Sequence, residues 1–111
     1  MFNVQIDLVD NEKIEFAKGS NHFKGIEGVG GKLFVTNKRV VFKSHSINVQ
    51  NHELVIEYFD IQSVQFYNTL GIIPNGLMIL TKSGRKEKFV VWKRNTIKNL
   101  IEEKIKGANK T

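Results

Sequence analysis

Catalysis at a protein site needs an activated nucleophile or a matched acid and base, and this chain supplies neither pattern. Ser20 stands two residues before His22 with no third partner nearby in sequence, and no serine sits in a nucleophile-elbow motif. Glu102 and Glu103 are adjacent on an expected helix and face water, where nothing raises a carboxyl pKa toward general-acid use. Cysteine is absent, which removes thiol nucleophiles, disulfides and thiolate metal sites. The glycine-rich run Gly28 to Lys32 lacks the spacing of a phosphate-binding loop and opens no helix. His22, His45 and His52 would make a zinc site if their three imidazoles converged. Their spacings match no ligand motif, so polar loop histidines are the expectation. The chain therefore reads as a non-enzymatic binding module with no cofactor and no metal.

Charge is the more informative chemistry. The net charge is +6, and it is unevenly placed. Between Gly28 and His52 stand Lys32, Lys38, Arg39 and Lys43 without an acid. Between Lys82 and Arg94 stand Lys82, Arg85, Lys86, Lys88, Lys93 and Arg94 against Glu87 alone. Two such blocks on an otherwise acidic chain point to positive patches that attract phosphate-bearing partners, the bland alternative being solvated faces that serve solubility. Nucleic acid ranks behind other partners, because Phe34, Phe42 and Phe89 fall in strands with a buried pattern and a stacking platform needs exposed rings.

The elements that must hold these residues are mostly strands. Ile14 and Phe16 alternate with charged neighbours in a strand reaching Gly19, and Gly25 to Gly31 reads as a flexible stretch. Lys32 to Thr36 and Arg39 to Ser44 make a hairpin around Asn37-Lys38, rich in β-branched and aromatic residues. A polar stretch from Ser44 to His52 follows. Leu54 to Tyr58 and Ile61 to Tyr67 are further strands, and Asn68 to Gly76 reads as turn. Leu77 to Thr81 and Lys86 to Trp92 form a second hairpin about Ser83-Gly84. The period then changes: Asn95 is a plausible N-cap, and Ile97, Leu100, Ile101 and Ile105 repeat at helical spacing up to Gly107. Leu70, Ile72 and Ile73 are expected to fold back onto the body, the alternative being a wedge for a bilayer or apolar groove. Trp92 is expected to pack between helix and sheet.

Length and composition fit one domain over residues 1–111, with its core at about 11–106. Met1 to Asp10 carries neither a basic start nor an apolar run, so no signal peptide is expected. No apolar run approaches the length of a membrane-spanning helix. The expected location is the cytoplasm, including the inner face of the membrane, and the abundance of Asn, Ile and Lys suggests an AT-rich bacterial genome.

Gly31-Lys32-Leu33-Phe34-Val35-Thr36-Asn37-Lys38-Arg39-Val40-Val41-Phe42-Lys43-Ser44 resembles the central motif of GRAM domains, and Asp60-Ile61, Gly76-Leu77 and Phe89-Val90-Val91 fall where such a domain places later strands. The resemblance runs from about Asn11 to Lys106 and implies the pleckstrin-homology-like superfold. That fold is mostly β: a partly open barrel of two near-orthogonal antiparallel sheets, capped by a C-terminal helix. It also implies peripheral binding to anionic lipid or to a protein partner, without catalysis. Lys24 and Lys32 could occupy the first two positions of the inositol-phosphate motif found in pleckstrin-homology domains, but Phe34 stands where a further arginine would. The candidate ligand-binding residues are Lys24, Lys32, Lys82, Arg85 and Lys86. The alternative function is a protein-interaction module that holds a peptide at a sheet edge or beside the helix.

Overall fold

Alternation of apolar and polar residues sets the strands, and the cross-strand ladders set the topology. The computed structural model describes residues 4–45 and 52–108. In chain order they form β1 (Ile14–Lys24), β2 (Glu27–Thr36), β3 (Arg39–Ser44) and β4 (Glu53–Glu57). A single 3-10 turn (Tyr58–Asp60) leads to β5 (Ile61–Thr69), β6 (Ile73–Thr81), β7 (Lys86–Val91) and α1 (Arg94–Ala108). All the pairings are antiparallel, in one curled sheet of order β4-β3-β2-β1-β7-β6-β5. The sheet is a half-barrel, and the helix packs against it chiefly at β5, β6 and the 3-10 turn. Of the polar stretch expected before β4, residues 46–51 lie outside the described residues.

The core follows from strand parity. Leu33, Val35, Val40, Phe42, Ile56, Leu77, Ile79, Phe89 and Val91 all point inward and are buried around Ile97 and Ile101 of α1, with Leu100 and Ile105 partly buried at its margin. A smaller cluster of Ile6, Phe34 and Val41 sits on the opposite face, where the N-terminal segment crosses the sheet.

The glycine stretch expected to be flexible is instead strand. Gly28, Gly30 and Gly31 belong to β2, and only Lys24 to Glu27 turns, with Gly25 at φ 61°. The reason is close approach: a Cβ on Gly31 would lie 2.3 Å from the Lys43 carbonyl oxygen. The turn expected over Asn68 to Gly76 is also shorter, because β6 already begins at Ile73. The helix starts one residue before Asn95 and carries Gly107 within it.

Arg39 does not face solvent. It meets Glu12, whose side chain is fully buried: Arg39 Nε and Nη2 donate to the carboxylate at 2.8 and 3.1 Å, the Thr36 hydroxyl at 2.7 Å and the Val9 amide at 3.0 Å. Burial pushes the Glu12 carboxyl up, but the hydrogen bonds from Arg39, Thr36 and Val9 outweigh it and hold the pKa at about 2. This pair ties the segment before β1 to the β2–β3 turn.

Candidate functional site

The β1–β7 ladder decides which candidate cations share an end of the sheet. Phe23 pairs with Lys88 and His22 with Phe89, so the β1–β2 turn lies beside the start of β7. Lys24 is thus brought to the same end as Lys86 and Lys88, and the exposed Lys82 lies on the adjoining β6–β7 turn. Lys32 is elsewhere. Strand parity sends it to the outer face of β2, with Nζ 5.7 Å from the Phe34 ring centroid and Lys43 directly opposite on β3.

The β6–β7 turn is not the unopposed cluster of cations that local sequence suggests. Arg85 lies 3.3 Å from Glu87 and 3.7 Å from Asp60. Asp60 also accepts hydrogen bonds from the Ser83 amide and hydroxyl. Asp60 stands more than twenty residues before the turn in sequence, and the chain returns it there through the 3-10 turn. Of the candidate cations on this turn, Lys82 and Lys86 are left as the outward-facing pair.

At the same end, on the inner face, lies a polar chain that sequence did not assemble. His22 is buried, with Nδ1 2.8 Å from His52 Nε2 and Nε2 2.9 Å from the Glu87 carboxylate. The carboxylate can only accept, so the His22 Nε2–H donates to it. With a neutral His22, Nδ1 then accepts from the His52 Nε2–H. Burial holds the His52 pKa below the usual imidazole value, and the charge of Lys24 adds to this while Glu87 opposes it. His45 does not join them. It lies over Gly30, on the face where a Cβ added there would sit 2.9 Å from its Nε2. Among the described residues no group of three metal-capable side chains is arranged so that it could hold a metal ion.

The outer face of β1, β2 and β7 carries an open cleft of about 500 Å³. Gly19 leaves part of its floor bare, Gly30 lies under the His45 ring, and Asn21, Lys32 and Trp92 are among the other residues around it. Trp92 was expected inside; it is 73% exposed. Val91 takes the inward position and parity turns its neighbour out. The β5–β6 turn likewise does not fold back: Leu70 is 88% and Ile72 78% exposed.

The sequence profile of the GRAM domain matches residues 2–106. The chain belongs to the GRAM family. Solved structures agree on the fold of this GRAM domain. It is similar to the C-terminal domain of an unknown protein from Leishmania infantum (TM-score 0.73, 16% identity, covering 85% of this chain and 84% of that one). It is also similar to the Vps36 N-terminal PH domain (TM-score 0.65, 19% identity, 86% and 83%). A third likeness is to the linker-DH/PH domains of p115-RhoGEF (TM-score 0.66, 11% identity), where 93% of this chain matches 31% of the larger one. No curated protein sequence matches the chain. GRAM and pleckstrin-homology-like domains are generally non-catalytic modules that bind lipids or proteins. No helix of this one is long and apolar enough to cross a membrane among the described residues.

Proposed function

We propose that this GRAM domain docks peripherally on anionic lipid surfaces, at the inner face of the membrane. The observation that carries the reading is the β1–β7 register, because it brings Lys24, which stands outside both basic blocks of the sequence, to the same end of the sheet as Lys86 and Lys88, beside Lys82. Exposed lysines at one end of a rigid sheet meet head-group phosphates without desolvating a partner of their own. Lys32 adds charge along the outer face, and Arg85 contributes less because Asp60 and Glu87 already neutralise it. Each lysine near an anionic surface is worth about 1 kcal/mol, so three together give roughly a hundredfold in partitioning.

The test is co-sedimentation with phosphatidylcholine vesicles, with and without phosphatidylserine, at low and high salt. Wild-type protein should bind the anionic vesicles and release steeply as salt rises. Substituting Lys24, Lys82 and Lys86 together by Gln should abolish binding at low salt, while Lys38→Gln at the β2–β3 turn should leave it intact. Wild-type protein that ignores anionic vesicles at low salt would end this reading.

A second reading, peptide recognition beside the helix, is favoured by Phe66. This residue is part-exposed on β5, a strand with a ladder on one side only, and its ring lies 4.3 Å from the Arg94 guanidinium and 5.6 Å from Lys98 Nζ. Such binding would depend little on salt, which separates it from the first.

A further inference from the structure

The β5–β6 turn pays a conformational cost to show an apolar side chain to solvent. The Ile72 amide bonds to the Thr69 carbonyl across it, and its two central residues, Leu70 and Gly71, have φ of 53° and 73°. Positive φ at both centres is the geometry that Asn-Gly or Asp-Gly ordinarily supplies. Glycine takes it freely, whereas a leucine there crowds its Cβ against the backbone. Packing does not repay that strain, since Leu70 is almost wholly exposed and Ile72 nearly as much. A strained, unpacked, apolar residue on a tight turn is a feature that folding alone does not explain.

Trp92 belongs to the same end of the molecule. Gly76 pairs with Val90, so Trp92, two residues on, runs out beside the start of β6. Asn75 and Trp92 line the outer cleft together. Ile73 and Lys93 are also exposed here, and from Ile61 to Lys86 the sequence contains no Asp or Glu.

We infer that Leu70, Ile72 and Trp92 form a wedge that enters the head-group and acyl boundary of the bilayer. The inference rests on the membrane reading and adds an orientation to it. Leu70 and Ile72 stand out at the tip of a two-residue turn with little protein around them, which suits entry into a fluid apolar medium. An indole beside aliphatics, with a cation nearby and no acid, is the composition of an interfacial anchor. β6 separates this wedge from the Lys82–Lys86 turn by roughly 26–30 Å, at about 3.3 Å per residue. Contact at both ends therefore requires the domain to lie with β7 along the surface. Parity permits it: Lys86, Lys88, Val90 and Trp92 all project outward, cationic at one end and apolar at the other.

The chain has a single tryptophan, so its fluorescence reports on the wedge alone. With phosphatidylserine-containing vesicles whose acyl chains are brominated, Trp92 emission should shift to the blue and be quenched. Leu70→Asn, alone and with Ile72→Asn, should weaken partitioning at least about tenfold per side chain removed, while Leu70→Asn holds or raises the melting temperature because Asn suits the turn. That pairing of lost binding with undiminished stability is not what a folding defect produces. If wild-type protein binds anionic vesicles but bromine leaves Trp92 unquenched and Leu70→Asn partitions normally, the wedge is refuted and charge-driven docking stands. If wild-type protein binds no vesicle of either composition, both readings fall.

Discussion

Changing Glu12 to Gln removes one negative charge from a site closed to water and leaves Arg39 facing an amide. The carboxylate takes hydrogen bonds from Arg39, Thr36 and Val9, and together they overcome the burial that would raise its pKa. A fall from 4.5 to about 2 on folding corresponds to roughly 3 kcal/mol of stability. The folded pKa is the lower one, so this contribution is complete above pH 4.5, shrinks as the pH falls, and is gone below about pH 2. The substitution should therefore cost about 3 kcal/mol at pH 7, within the range for breaking a buried pair. That is a large share of the 5–15 kcal/mol available to a domain of this kind. Urea denaturation followed by circular dichroism reads it as a lower midpoint with an unchanged slope. The two proteins should draw together as the pH approaches 2 and converge below it, where the native carboxyl is itself protonated. An unchanged midpoint at pH 7, or a gap of equal size at both pH values, would refute the account.

Two further outcomes follow from the packing. Replacing Ile97 and Ile101 by Ala should remove the cooperative thermal transition, as should ending the chain after Lys93, because each buried isoleucine lost costs about 2–5 kcal/mol; a cooperative melt of either protein would contradict the role given to α1. The depressed His52 pKa makes the folded state the weaker proton acceptor. It adds stability that is complete above the usual imidazole pKa of about 6.5 and is lost as pH falls from there. Denaturant midpoints should begin to decline in that window, well above the Glu12 range, and His52→Gln should flatten the early part of the decline. A wild-type curve level down to pH 5 would show that His52 gains nothing from its place beside His22.

What sequence revealed was whatever sits within one element or one turn. The strands around Asn37-Lys38 and Ser83-Gly84 and the apolar face of α1 are local patterns, and each was legible with small errors at its ends. Features that depend on residues far apart in the chain were not. Gly28, Gly30 and Gly31 read as a loop because glycine is a turn signal, yet Gly31 is needed so that β3 can pass close to it. Glu12 meets Arg39 across 27 positions, and His22 meets His52 across 30 and Glu87 across 65. Asp60 disarms Arg85 from another element. Nothing in local composition announces these contacts. Trp92 is the exception that sequence could have given: once Phe89 and Val91 are taken as inward, the next residue must turn out.

Parity on β7 also explains why core and candidate surface can differ chemically without conflict. Glu87, Phe89 and Val91 are committed inward, the first to His22 and the other two to the core. Lys86, Lys88, Val90 and Trp92 are left free of that duty, and only weak contacts hold them, such as Lys88 Nζ 5.6 Å from the Tyr67 ring centroid. Substitutions in the outward set should thus alter binding at little cost in stability, usually within about 0.5 kcal/mol for exposed positions. Substitutions in the inward set should do the reverse. The proposed membrane docking requires this separation, because side chains that meet lipid must leave the fold unchanged whether or not lipid is present.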